Sequence, residues 1–146
     1  MATLALVMLL QTDLPVPAEV LDPGERARIE KKEKIEDRIK IYRSASIRYQ
    51  KAVESAASRN EFDAMPENLK LWRTLLSSSL KDIEANLKKK KKSRALINYE
   101  IHLRKTIGNV QKVRIKAPAD QQESFDSWIS EAEEVRKKIV EILFQN

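Results

Sequence analysis

The stretch from Pro66 to Lys116 constrains this chain more than any other. It has no proline after Pro66 and a single glycine, Gly108. Its apolar residues return every three or four positions: Leu69, Trp72, Leu76, Leu80, Ile83 and Leu87, then Leu96, Tyr99, Leu103, Ile107 and Val110. That spacing keeps to one side of an α-helix. Read as one unbroken helix, roughly 51 residues at about 1.5 Å each make a rod of roughly 75 Å. A lone helix cannot bury its own apolar stripe, so the rest of the chain or a partner must cover it. Five consecutive lysines, Lys88 to Lys92, interrupt the stripe. Five positions reach every side of a helix, so part of the run points where the stripe was. Lysine is a good helix former, and no glycine or proline marks a break, so the spacing predicts continuity there.

Shorter helices are predicted on either side. Asp22-Pro23-Gly24-Glu25 reads as a helix start, with Asp22 as cap, Pro23 at the first helical position and Glu25 at the positive end of the dipole. The first helix is predicted over residues 23–58, with a near-heptad seam of Ile35, Ile39, Tyr42, Ser46, Tyr49, Val53 and Ala56. Residues 26–34 read as a solvated extension of it. Asn60, Asp63 and Pro66 break the chain. Pro118 ends the long helix, and Asp120 with Glu123 resembles a capping box for a last helix over 120–143. Its seam is Phe125, Trp128, Ala132, Val135, Ile139 and Ile142. Short connections make sequential helices antiparallel. The predicted fold is all-α: an elongated antiparallel three-helix bundle or coiled coil with one very long central helix, residues 19–146 forming a single helical domain.

The N-terminus differs in character. Leu4 to Leu10 is continuously apolar, and Pro15-Val16-Pro17-Ala18 follows after a short polar segment. The run is too short to span a bilayer, and small residues such as Val16-x-Ala18 suit a signal-peptidase cut. No basic residue precedes the run. Residues 1–18 therefore read as a signal peptide, with an apolar arm packed on the bundle as the alternative. The first reading implies an exported bacterial protein, periplasmic or secreted; the second implies a cytoplasmic one.

Composition narrows the chemistry. Phosphate-cradling loops and nucleotide-binding turns consume glycine, and this chain has two, neither in such a motif. There is no cysteine, which removes disulfides, thiolate metal sites and a cysteine nucleophile. The one histidine, His102, lies two residues from Glu100, about 200° around a helix, so the pair is ill placed to share a metal. His102 reads as a surface or seam-edge residue. Ser77-Ser78-Ser79 lies within the long helix and outside any nucleophile elbow. No catalytic residue, metal or cofactor is predicted, and the chain reads as a non-enzyme.

The formal net charge is +6 and the pI about 9.5. The surplus is concentrated in residues 81–116, while residues 117–146 are acidic. Opposite charges beside an apolar seam set pairing and register in bundles. The leading functional reading is a helical interaction or structural protein that contacts a protein partner or a second copy through Trp72, Leu76, Leu80 and Ile83. The alternative is an electrostatic binder of nucleic acid, anionic envelope polymer or a membrane surface through Lys88, Lys89, Lys90, Lys91, Lys92 and Arg94. Nucleic acid is the weaker partner, because Tyr99 is the one aromatic interleaved with these cations. No small-molecule substrate is evident.

Overall fold

The computed structural model describes residues 14–88 and 93–145. These form five α-helices: α1 Pro23–Lys31, α2 Ile35–Ser58, α3 Met65–Asn86, α4 Arg94–Lys116 and α5 Gln122–Leu143. Single 3-10 turns at Ala18–Val20 and Ala119–Gln121 precede α1 and α5. α2 packs on α3 and α4, and α5 packs on the same two helices from the other side. Four helices thus make a square in which α3 and α4 lie on one diagonal, while α1 and the Ala18–Val20 turn pack on its outside.

This corrects the three-helix bundle or coiled coil with one very long central helix. The stretch 66–116 is two helices. α3 stops at Asn86, Leu87 is extended at φ −81° and ψ 127°, and Ser93 caps a new helix by accepting from the Leu96 amide at 3.2 Å. A straight rod would leave half its stripe against a single neighbour. Folded back, both halves bury theirs in one four-sided core, which is worth far more than the helical bonds lost at the turn. Helix propensity is a weak prior against that gain. Lys89 to Lys92 lie outside the described residues.

The predicted helix over 23–58 is divided as well. α1 ends at Lys31, with Lys32 and Lys34 extended, and it is not a solvated extension: Ile29 and Glu25 are buried. Asp22 and Glu25 form the reciprocal capping box, each accepting from the other's backbone amide, at 2.7 and 2.9 Å. Glu25 also takes the Arg48 guanidinium of α2 through two hydrogen bonds, at 3.0 and 2.8 Å. Tyr49 donates to the Val20 carbonyl at 2.8 Å, and Val16, Val20 and Leu21 enter the core. One carboxylate therefore both starts α1 and straps it to α2.

The turns follow local chemistry. Asn60 sits at φ 56°, a left-handed conformation that asparagine tolerates better than most residues. The amides of Asn60 and Glu61 close back onto the carbonyls of Ala57 and Ala56, the Schellman pattern that satisfies the end of α2. Before α5 no Asp120 cap bond forms. Gln122 instead turns its side-chain amide back onto the carbonyls of Arg114 and Ala117, at 2.8 and 3.0 Å, satisfying the end of α4.

Helix directions follow from the cross-links. Arg38 meets Asp82 and Ser46 meets Trp72, so α2 and α3 are antiparallel. Arg114 meets Asp126 and Arg136 meets Glu100, so α4 and α5 are antiparallel. Ser46 meets His102 and Gln50 meets Thr106, a constant offset that makes the neighbours α2 and α4 parallel. The core is one continuous cluster, centred where the rings of Trp72 and Trp128 sit 4.3 Å apart.

Candidate functional site

Two buried polar clusters and one surface groove carry the chemistry of this chain. The first cluster ties α2 to α3. Asp82 accepts from Arg38 Nε at 2.8 Å, Arg38 Nη2 at 2.9 Å, Tyr42 Oη at 2.5 Å and Asn86 Nδ2 at 2.7 Å. Every lone-pair position of the carboxylate is thereby occupied. Burial alone would push Asp82 up, but the bonds from Arg38 and Tyr42 outweigh it and hold the carboxyl below its ordinary range. Arg38 Nη1 spends its protons on the carbonyls of Lys32 and Glu33, fixing the turn between α1 and α2. All four lone-pair positions of Asp82 are taken within the fold, so the carboxylate itself has none left for a substrate.

The second cluster is neutral and crosses three helices. Trp72 Nε1 donates to Ser46 Oγ at 2.8 Å, and Ser46 Oγ lies 2.7 Å from His102 Nε2. Thr106 Oγ1 lies 3.3 Å from His102 Nδ1 and donates to Gln50 Oε1 at 3.1 Å. Gln50 Nε2 is held by Glu54 at 2.8 Å, which orients its oxygen toward Thr106. An indole can only donate, and an amide oxygen can only accept. Thr106 spends its single proton on Gln50, so His102 Nδ1–H donates to Thr106; Ser46 accepts from Trp72 and, while the ring is neutral, donates to His102 Nε2. Burial, reinforced by the Arg43 charge, lowers the His102 pKa from 6.5 to about 4, which keeps the ring neutral.

His102 and Thr106 form part of the floor of a surface groove between α2 and α4, about 330 Å³ in volume. Ile47 and Ile101 are half-buried along it, and Arg43 and Lys105 stand exposed on its two walls. No carboxylate lines it. The matching groove between α3 and α5 carries both signs, with Glu67, Asp120 and Glu123 beside Lys70 and Arg73.

The residues singled out by the apolar spacing lie elsewhere. Trp72, Leu76 and Ile83 are fully buried and Leu80 is buried, all within the chain's own core. Their stripe is covered by α2, α5 and the N-terminal arm, so a partner could reach them only if the bundle opened. Of the cationic set, Lys88 and Arg94 are exposed; Lys89, Lys90, Lys91 and Lys92 lie outside the described residues. His102 is a buried seam-edge residue on the floor of the α2–α4 groove, and Ser46, the polar member of the α2 seam, is the signal that pointed to a polar partner there. Ser79, also buried, lies 2.7 Å from Tyr99 Oη across the diagonal of the square. Among the described residues no three His, Asp or Glu side chains come together to hold a metal ion, and no helix is long and apolar enough to cross a membrane.

No protein-family model matches the chain, and comparison with curated proteins and with solved structures returns no match. The described residues form a small all-helical domain, and no catalytic motif is found among them.

Proposed function

We propose that this chain is a non-catalytic interaction module that works through the outer face of its parallel α2–α4 pair. One observation carries this reading: the groove on that face is lined by cations and by no carboxylate, whereas the groove between α3 and α5 carries both signs. Arg38, Arg48, Arg104, Arg114 and Arg136 each pair with a carboxylate of the chain. Among the described residues Arg43 and Lys105 of this groove pair with none, and neither do Lys70 and Arg73 of the α3–α5 groove, but only the latter two have carboxylates in the same lining. Charge separation of this kind steers association and selects partners more than it stabilises a fold. A reading through anionic polymer or lipid rests on the same cations, with Lys88 just after α3 and Arg94 at the start of α4, and phosphatidylglycerol vesicles and duplex DNA separate it from the first.

Size fractionation of a native extract at low salt tests the module. The chain alone is 16.9 kDa. It should elute in a larger complex that collapses to that mass as salt is raised. Elution at the monomer mass in low salt would end this proposal.

Export remains part of the reading, supported by the apolar run and the small residues after it. Because Val16 packs in the core, a cut after Ala18 would remove a buried side chain. The N-terminal mass of the native protein distinguishes a cut before Leu14, a cut after Ala18 and no cut.

A further inference from the structure

We infer that the α2–α4 groove receives an acidic amphipathic α-helix of a partner protein, lying along α4 with apolar residues on Ile47 and Ile101 and carboxylates toward Arg43 and Lys105. This rests on the interaction-module reading and names its partner's chemistry.

Shape supports a helix. The groove lies between two parallel neighbours, and ridges of a third helix fit such a depression. Its lining on α4 extends from Asn98 to Asn109, roughly 17 Å, or about three helical turns. A flat bilayer would touch the exposed walls and miss the half-buried Ile47 and Ile101 between them.

Charge supports acidity. The lining holds Arg43 and Lys105 and no carboxylate, and neither cation pairs within the described chain. The α3–α5 groove, with both signs on its walls, selects neither. The α2–α4 lining therefore favours one sign of partner, and Ile47 and Ile101 along it favour one with an apolar stripe.

Gly108 adds an independent observation. It sits inside α4, two turns on from Ile101 and on the same helical edge. Its φ is not positive, and a Cβ placed there would meet nothing within 4 Å. The fold has no packing reason for a residue that weakens a helix. Open space at this position lets a partner's backbone approach closely. Asn98 and Asn109 make no side-chain hydrogen bond within the described chain and stand at the two ends of the groove.

The probe is a synthetic Glu-rich peptide with leucines at helical spacing, set against an isomer of the same composition with the spacing scrambled. Binding to the full chain is read by calorimetry and by the amide signals of Asn98 and Asn109. The helical peptide should bind at least about tenfold more tightly than its scramble. Arg43→Glu with Lys105→Glu should weaken it roughly tenfold or more. Gly108→Leu should weaken it comparably while leaving Tm unchanged or higher.

Equal binding of the two peptides, or indifference to Gly108→Leu, overturns the helix. Phosphatidylglycerol vesicles or duplex DNA binding more tightly than the peptide, with the same dependence on Arg43 and Lys105, overturns it in favour of a polyanion. Self-association that the charge-reversed variant abolishes overturns it in favour of a second copy. If the peptide fails while the complex in native extract persists, this inference falls and the module stands.

Discussion

The two buried polar clusters sit in neighbouring layers of one bundle and solve opposite problems. At the α1 end, Asp82 and Arg38 are both ionised, and their side chains are only 3% and 11% exposed. In the middle layer the Trp72–Ser46–His102–Thr106–Gln50 chain carries no charge at all. A buried ion is tolerable only when its lone pairs and protons are satisfied, and Asp82 meets that condition with four bonds. His102 meets the other condition: with Arg43 beside it and no carboxylate in hydrogen-bond contact, it stays neutral. The fold therefore has one site that resists acid and one that yields to it.

The largest break in this comparison is Asp82→Ala. It strands the Arg38 guanidinium and the Tyr42 hydroxyl, and it should cost about 3–5 kcal/mol, read from the urea midpoint. A loss under about 1 kcal/mol would mean that water replaces the carboxylate freely.

Acid separates the clusters without mutation. The His102 pKa is about 4 in the fold and 6.5 when exposed, so the unfolded chain binds more protons between those values. The His102 contribution is complete above pH 6.5 and is lost as pH falls toward 4, on the order of 3 kcal/mol in all. Asp82 has a lowered pKa, so its contribution persists through that window and declines only below the ordinary carboxylate value of 3.8. A urea-midpoint profile should show the first descent in the wild type and lose it in His102→Gln. A descent that survives His102→Gln would assign it to other groups.

The tryptophan pair gives a smaller effect. Trp72 Nε1 has Ser46 as acceptor, whereas Trp128 Nε1 is buried without one. Phenylalanine at either position removes similar area. Only Trp72→Phe removes a satisfied donor, so it should cost about 1–2 kcal/mol more than Trp128→Phe. Equal losses in thermal melts would show that the Trp128 N–H has found a partner.

The smallest is Gly108→Ala, at a position neither cluster touches. It should stabilise α4 by about 0.5–1 kcal/mol, because the added methyl meets open space. A destabilisation there would place an unseen contact over the groove.

Much of this architecture was legible residue by residue. The seams Ile39–Tyr42–Tyr49–Val53 and Phe125–Trp128–Val135–Ile139 are buried as their spacing requires. Asp22, Pro23 and Glu25 start a helix as their types require. Pro118 follows the extended residue that ends α4. All of these are short-range effects, set within a turn or two of the residue concerned. The Ser93 cap of α4 went unread, because the helix propensity of the lysines before it argued for continuity. The candidate site was less legible, because a groove belongs to two helices far apart in sequence.

What the sequence determined alone is helix, seam and cap, since periodicity and end chemistry are local properties of the backbone. What only the tertiary structure decided is where the long stretch folds back, which helices become parallel neighbours, and which cations are left without partners. Those outcomes depend on burying both halves of one stripe at once. That gain is non-directional and long-range, and no window along the chain contains both surfaces that share it.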